Sequence, residues 1–414
     1  MANEHFDVAV IGAGIVGVCC ASWLQRTGKR VAVLDRNPAG TGTSYGNAGT
    51  LAPFGIAPIN HPNLIKSLPQ LLFSKSSALT VDWGYALTHL PWMLSFLRNC
   101  RQDKVDHISN TMGTLQAHSD AGLNPLIKEA KADDLIAAIG AVYCYSTEQA
   151  YEKSAYARQM REKHGVRFET LSGNEIREME PELKFPIHKG YHFLDSRHVR
   201  DSKALTERLF EHFLRQGGSW RQHEVDHVSS GTDTVTITTK SGEAISCGTL
   251  VVAAGAHSKS IKGSGADKLP LDTERGYHIV YHGHQDRISR VVGWQEGGFN
   301  ATPMNGGLRF AGTVEIAGLE KPLNPDRISF LKGMASQMFD GLGEPQEEWL
   351  GYRPTLPDSL PVISRSPVSD RILLAFGHHH LGLTLSGITG RIIADFADGR
   401  SPNFDVSGFD AKRF

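Results

Sequence analysis

The chain has 414 residues, 40% apolar and 21% charged. That supplies a sizeable core for one two-lobed unit or two to three domains and excludes wholesale disorder. Lysine plus arginine number 43 against 44 acids, a formal net charge of -1, so no global basicity argues for a nucleic-acid partner. Five cysteines, at 19, 20, 100, 144 and 247, contain no CxxC pair and form no disulfide framework. They read as small core side chains in a reducing compartment. The opening MANEHFDVAVIGAG lacks a basic segment leading into a signal-peptide core, and no run reaches the roughly 18 apolar residues of a spanning helix. A cytoplasmic location is expected.

In chain order, FDVAVI at 6–11 is a short apolar run, followed by GAGIVG, then CCASWLQRTG, then RVAVLD ending at Asp35. The pattern predicts strand, glycine turn, helix, strand, the dinucleotide-binding arrangement. Gly12 permits the tight turn, Gly14 lets a pyrophosphate approach, and Gly17 brings the helix onto the sheet. Asp35 can accept hydrogen bonds from a ribose and repels an NADP phosphate. GTGTSYGNAGTLAPFG at 40–55 is too polar and glycine-rich for a regular strand. It reads either as backbone approaching an elongated cofactor, with Thr43 and Ser44 near pyrophosphate and Ala48 and Gly49 beside a flat ring, or as a surface loop.

LPQLLF and YALTHLPWMLSFL within 61–120 carry helical apolar patterns broken by Pro69 and Pro91. Trp83, Trp92, Met93 and Phe96 fit a core, or else a peripheral membrane surface. VYCYSTEQ predicts a strand, EKSAYARQMREKHG a helix, LSGNEIREMEPEL a capped short helix, and SKALTERLFEHFLRQGGSW an amphipathic helix with a glycine stop. HEVDHVSS, TVTITT, GTLVVAAG, RGYHIVYH, RVVGW and GLRFAGTVE read as strands, and SFLKGMASQMF as a helix. From 370 to 399 the pattern is strand, glycine-rich turn, long helix. His378, His379 and His380 are consecutive, so their side chains do not converge on one metal centre, and no HExxH or cysteine spacing accompanies them. No metal site is expected.

Together VIGAGIVG, LDRNPAGTGTSYGNAG, RGYHI at 275–279, GYRPTLPDSLPVI at 351–363 and GHHHLGLTLSGITGRIIADF resemble the FAD-dependent D-amino-acid oxidase superfamily. They run in family order over nearly the whole chain. Within that superfamily the motifs are most similar to the bacterial D-amino-acid dehydrogenases, whose neighbours include D-hydroxyproline dehydrogenases and sarcosine and glycine oxidases.

The resemblance implies an α/β fold: a Rossmann-like FAD-binding domain (1–60, 196–268 and 351–414) interleaved with an α+β substrate domain (61–195 and 269–350). The latter would hold a mixed, largely antiparallel sheet. It implies FAD contacts from Gly12, Gly14, Ile15, Val16, Gly17, Asp35 and Arg36, and from Thr43, Ser44, Asn47, Ala48, Gly49 and Leu51. Val225, Ala254 and Gly255 would add contacts at the adenosine end. Gly377, His380, Leu381, Gly382, Leu383 and Thr384 would add them near the isoalloxazine. The helix beginning near Leu383 would direct its N-terminal dipole at the flavin. Arg353 corresponds to the partner of the substrate carboxylate, with a structural salt bridge as the other reading, and Tyr277 and His278 to the substrate wall, with acid–base roles in view. The implied reaction is hydride transfer from the α-carbon of a D-amino acid, D-proline and D-hydroxyproline included, to flavin N5. Electrons would then pass to a quinone or redox protein. Sarcosine- or glycine-type oxidation, other secondary-amine oxidation and a flavin-bearing subunit without its own substrate are the competing readings. Relatives with covalent FAD attach it through a late cysteine. None follows Cys247 here, so noncovalent FAD is expected.

Overall fold

A computed structural model describes residues 5–62, 64 and 79–414; the LPQLLF pattern lies outside them. Among the described residues the framework is two large sheets. The first has eight strands and a parallel centre. Ser219–Gln222, Val31–Asp35, His5–Ile11 and Ala244–Val252 lie side by side in that order, all parallel. Near-continuous burial of Val8, Ala9, Val10 and Val31–Leu34 is what a sheet covered on both faces requires. The Ala244–Val252 strand divides its free edge. Cys247 and earlier residues pair with the antiparallel Val235–Thr239 strand, whereas Leu250–Val252 pair with the parallel Ser369–Phe376 strand. Residues from both ends and the middle of the chain therefore build one sheet.

The second sheet has nine strands, mostly antiparallel. Its path runs Glu347–Thr355, Asp272–Tyr281, Gly307–Ile316, Phe299–Met304, Val291–Trp294, Ala141–Tyr145, Lys189–Phe193, Phe168–Ser172. The Glu347–Thr355 strand that carries Arg353 thus belongs to this sheet, and the chain rejoins the first sheet at Val362–Ser366. Side chains alternate across the strands. Tyr277, Ile279, Val292, Trp294, Phe299 and Phe310 face a core closed by the Pro325–Met338 helix, while Glu274, Gly276, Asn300 and Tyr143 occupy the opposite face.

The Ile15–Arg26 and Gly382–Ala397 helices pack together on the first sheet. Their contact and that of Gly382–Ala397 with Ser119–Glu129 need small residues. A side chain at Gly390 would meet the Cys19 backbone, and one at Gly387 would run into Gly122 and Leu123. All five cysteines are free and buried; burial pushes the Cys19 and Cys247 thiols up to about 12.

The Trp83–Thr88 and Leu90–Arg98 helices depart from the expected core packing. Trp83 is 50% exposed and Leu87 73%, and the Leu90–Arg98 helix has no fully buried residue. Trp92, Met93 and Phe96 are half-buried; Trp92 donates to the Pro270 carbonyl and stacks on Phe96. Among the described residues no helix is long and apolar enough to cross a membrane.

The glycine crossing yields a stability prediction. Gly387→Leu forces a branched side chain between two helix backbones, an overpacking that costs typically 1–3 kcal/mol, roughly, and more where backbone cannot yield. Urea unfolding should show a clearly lowered midpoint, while Gly333→Ala, on the exposed side of the Pro325–Met338 helix where nothing lies near an added Cβ, should not lower it.

Candidate active site

A cavity of about 760 Å³ runs between the two sheets, a size ordinary for a cofactor-and-substrate cleft. One end is the glycine turn after His5–Ile11. Gly12 has φ +114°, and any side chain there would strike the Ala253 carbonyl. Gly17 packs on the Gly12 carbonyl, bringing the start of the Ile15–Arg26 helix against the turn. That helix start offers backbone N–H groups to an anion, although one is already used: Ile15 N donates to Ser44 Oγ at 2.9 Å. Asp35 holds the turn from the side, accepting from Ala13 N at 2.8 Å and Asn37 N at 2.9 Å.

The 43–49 segment forms the cavity's middle wall. Thr43 Oγ1 donates to the Tyr352 carbonyl. Arg309 Nη1 donates to the Tyr45 and Asn47 carbonyls, Thr302 Oγ1 to that of Ala48, and Val199 N to that of Gly49. Asn47 braces its own loop, donating to the Ser44 carbonyl and accepting from Gly49 N and Ser202 Oγ. Gly46 lies flat on the Trp349 ring, with no room for a Cβ.

At the far end stands Arg353. Its Nη1 donates to the Thr313 carbonyl at 2.8 Å and its Nη2 to that of Gly312 at 3.3 Å. The guanidinium lies across Gly276, where a Cβ would collide with it. Of five N–H donors, two are thus engaged and three remain. Its cross-strand partner Glu274 also lines the cavity. Glu274 is buried, its Oε2 has no hydrogen-bond partner, and burial pushes its carboxyl up against the opposing pull of Arg353. His379, at φ +55°, has both ring nitrogens unpartnered, with Nδ1 3.9 Å from Glu274 Oε2. Burial and then the Arg353 charge bring its pKa down to about 3, and His380 likewise falls to about 3. Both imidazoles are neutral near pH 7.

Gly12, Gly14, Ile15, Val16, Asp35 and Arg36 line the cavity, as do Thr43, Ser44, Asn47, Ala48 and Gly49. So do Val225, Ala254, Gly255, His380, Leu381, Gly382, Leu383, Arg353 and Tyr277. Five expected residues stand back from it. Gly17 packs behind the turn, and Leu51 is in the core. Gly377, at φ +86°, turns beside Leu356. Thr384 Oγ1 accepts from Ala52 N at 3.0 Å.

The fifth is His278. Its ring is buried, stacked on Trp349 at 5.0 Å, and its Nδ1 bonds the Gly46 carbonyl at 2.9 Å. A carbonyl partner places the ring proton on Nδ1, and burial lowers the pKa to about 3. The group expected on the substrate wall therefore supports the 43–49 segment. Tyr277 contributes to the lining, but its hydroxyl donates to Glu315, on the sheet face turned from the cavity, where Arg275 Nη1 pairs the same carboxylate at 3.3 Å. Burial and Glu315 raise the phenol pKa. Neither geometry suits proton transfer in the cavity.

Glu274, His379, Arg309, Trp349, Asn300, Tyr143 and Arg161 belong to the site without having been expected. Glu274 had a local signal, standing in the same strand period as the glycine of RGYHI, and His379 stands in the GHHHLG motif beside the expected His380.

The residues fit a long dinucleotide cofactor: a turn closed to any side chain, an acid beside it, a braced loop and a helix start at Gly382. Comparisons with known proteins agree. The model of the DAO family, described as FAD dependent oxidoreductase, matches residues 7–396. The chain is 33% identical to a D-amino-acid oxidase of Bradyrhizobium diazoefficiens, over 99% of each chain. Among solved structures, glycine oxidase from Geobacillus kaustophilus superposes with TM-score 0.76 at 19% identity, covering 99% of both chains. L-proline dehydrogenase from P. horikoshii gives 0.74 at 17%, covering 99% of this chain and 98% of that one. The match from residue 7 to 396 and the full-length relative place this chain in the DAO family of FAD-dependent oxidoreductases.

Proposed function

We propose that the chain oxidises the carbon–nitrogen bond of amino acids, D-amino acids first among them and D-proline and D-hydroxyproline within its range. The carrying observation is Arg353: a guanidinium in the cavity, fixed by two backbone carbonyls, with three donors left for a ligand. A planar fork of this kind matches a carboxylate. The name of the Bradyrhizobium relative and the order of the motifs support the same reading.

The glycine turn, Asp35, the 43–49 wall and the start of the Gly382–Ala397 helix would hold FAD noncovalently, and bound there it would supply the acceptor for a hydride. The chain's own part is positional. Arg353 fixes the carboxylate and thereby the adjacent α-hydrogen. The two sheets exclude bulk water. Glu274 and His379 present buried polar atoms that can meet the substrate amine, which reacts as the free base. Loss of the α-hydrogen with its electron pair leaves an iminium ion, and water converts this to a keto acid and ammonium; a cyclic secondary amine leaves a cyclic iminium, which gives the cyclic imine on losing its N–H proton to water. No cysteine lines the cavity, which supports noncovalent attachment.

Two acceptors compete. The resemblance to dehydrogenases argues for a quinone or redox protein, and the apolar Trp83–Arg98 surface offers such a partner, or the membrane that carries it, a contact. The relative named an oxidase argues for oxygen. Peroxide release during turnover in air, against reduction of an added quinone, separates the two.

Acid or heat denaturation followed by filtration should release the flavin as FAD. Chromophore retained on the chain would refute noncovalent attachment. Asp35→Ala removes the acceptor of Ala13 N, a loss of about 1–3 kcal/mol at a buried donor, and should weaken FAD binding by roughly five-fold to a hundred-fold, measured by titrating apoprotein.

Arg353→Ala should keep FAD but raise the amino-acid concentration for half-maximal anaerobic flavin reduction. Losing a buried charged partner costs roughly 2–5 kcal/mol, which is thirty-fold to several thousand-fold by the same scale. Arg353→Lys should recover only part, since the ammonium lacks the fork. Normal reduction of the alanine variant at low substrate would remove Arg353 from this role. Reduction by the isolated chain would also exclude a subunit without its own substrate.

A further inference from the structure

Arg161 lines the same cavity as Arg353. It comes from the Ala155–Lys163 helix. Its Nε donates to the Phe54 carbonyl at 3.3 Å. Its guanidinium carbon stands 5.9 Å from the Phe54 ring centroid and 5.0 Å from that of Phe193, and those two rings stack on each other at 4.0 Å. The neighbouring polar groups are the Tyr143, Tyr145 and Tyr191 hydroxyls. Among the described residues no carboxylate pairs with Arg161.

Other enclosed arginines show what is missing. Arg353 faces Glu274, Arg275 pairs Glu315, Arg290 pairs Glu180, and Arg309 is spent on the Tyr45 and Asn47 carbonyls. Burial lowers the Arg161 pKa, opposed only by tyrosines, yet a guanidinium does not give up its proton in a protein. A desolvated charge without a partner is costly. Aromatic faces recover a small part of that cost. An anion arriving in the cavity would supply the rest.

The sheet sets the separation. Arg353 reaches from its edge strand over Gly276 to carbonyls of the Gly307–Ile316 strand. Tyr143 leans across Gly293 in the other direction, where its hydroxyl accepts from Asn300 Nδ2 at 3.0 Å. Three strand spacings, roughly 14 Å, separate Gly307–Ile316, whose carbonyls hold Arg353, from Ala141–Tyr145, whose tyrosines lie beside Arg161. Two carboxylates a few bonds apart, each in charge-assisted hydrogen bonds of about 2.8 Å, bridge a distance of that order.

We propose that Arg161 is a second anion-binding group of the substrate site, and that the preferred substrate is an amino acid with an acidic group at the end of its side chain. The proposal rests on the amino-acid reading above. Arg353 takes the α-carboxylate, and Arg161, flanked by Phe54 and Phe193, takes the distal acid. Tyr143 and Asn300 lie on the path between them.

The test is anaerobic flavin reduction of the FAD-loaded protein by glutamate and aspartate against glutamine and asparagine, each in both configurations. These pairs match in shape and differ in charge. In the wild type the acid should half-reduce the flavin at a concentration at least ten-fold below its amide. Arg161→Gln should bring that ratio near one, and Arg161→Lys should retain part of it. Should Arg161→Gln fail to load FAD, the wild-type preference decides, together with flavin absorbance perturbation by glutarate against butyrate, glutarate binding at least ten-fold more tightly if the proposal holds. A wild type without preference for acids, or a ratio unchanged in Arg161→Gln, overturns the proposal. So does an equal loss for every substrate with a shifted flavin spectrum, which would assign Arg161 to the cofactor. Reduction by neutral amino acids alone sinks this inference and leaves the amino-acid reading standing; no reduction by any amino acid sinks both.

Discussion

Six consecutive backbone carbonyls, from Ser44 to Gly49, each meet a donor, and for five of them the rest of the fold supplies it. Asn47 Nδ2, Arg309, His278, Arg309 again, Thr302 and the Val199 amide serve them in turn. Buried carbonyls without partners would make an irregular segment here untenable. With them satisfied, a strand-free stretch lies fixed between two sheets and gives the cavity its middle wall. The nucleotide end and the Arg353 end are thereby parts of one cleft. Three donors, Arg309, His278 and Thr302, come from the nine-stranded sheet, so the sheet that carries Arg353 also shapes the wall that meets the cofactor.

The same sheet divides its labour by face. One face is an apolar core against the Pro325–Met338 helix. The other carries nearly all the chemistry, and glycines appear there where a long side chain must cross a strand. Gly276 lets Arg353 through, and Gly293 lets Tyr143 through. Those glycines set how far each polar head reaches over the floor of the cavity. They are as much a part of substrate geometry as the heads themselves.

The first sheet was legible because its signals are local: the GAGIVG turn between two apolar runs, Asp35 at the end of the second, the apolar 251–254 run before Gly255. The substrate face was less so. RGYHI marks a strand in the right place, but alternation only says that Tyr277 and His278 point opposite ways. It does not say that one meets Glu315 in a core and the other is covered by Trp349. Arg161 is equally silent, one of several charged residues in a polar helix, singled out only because Phe54 and the cavity lie beside it. Trp83 misled in the other direction, since an aromatic stripe reads as core, whereas the structure leaves half of Trp83 exposed.

The cysteines have a chemical consequence for a chain of this kind. Flavin catalysis in air generates hydrogen peroxide wherever oxygen reaches the reduced cofactor, and peroxide attacks thiolates. Cys19, packed beside Cys20 in the helix behind the glycine turn, has a thiol pKa pushed up to about 12. On the order of one in 10⁵ of such thiols is ionised at pH 7. Cys247, within the first sheet, stands the same way. Buried and held in the thiol form, these sulfurs are in the state that peroxide attacks least.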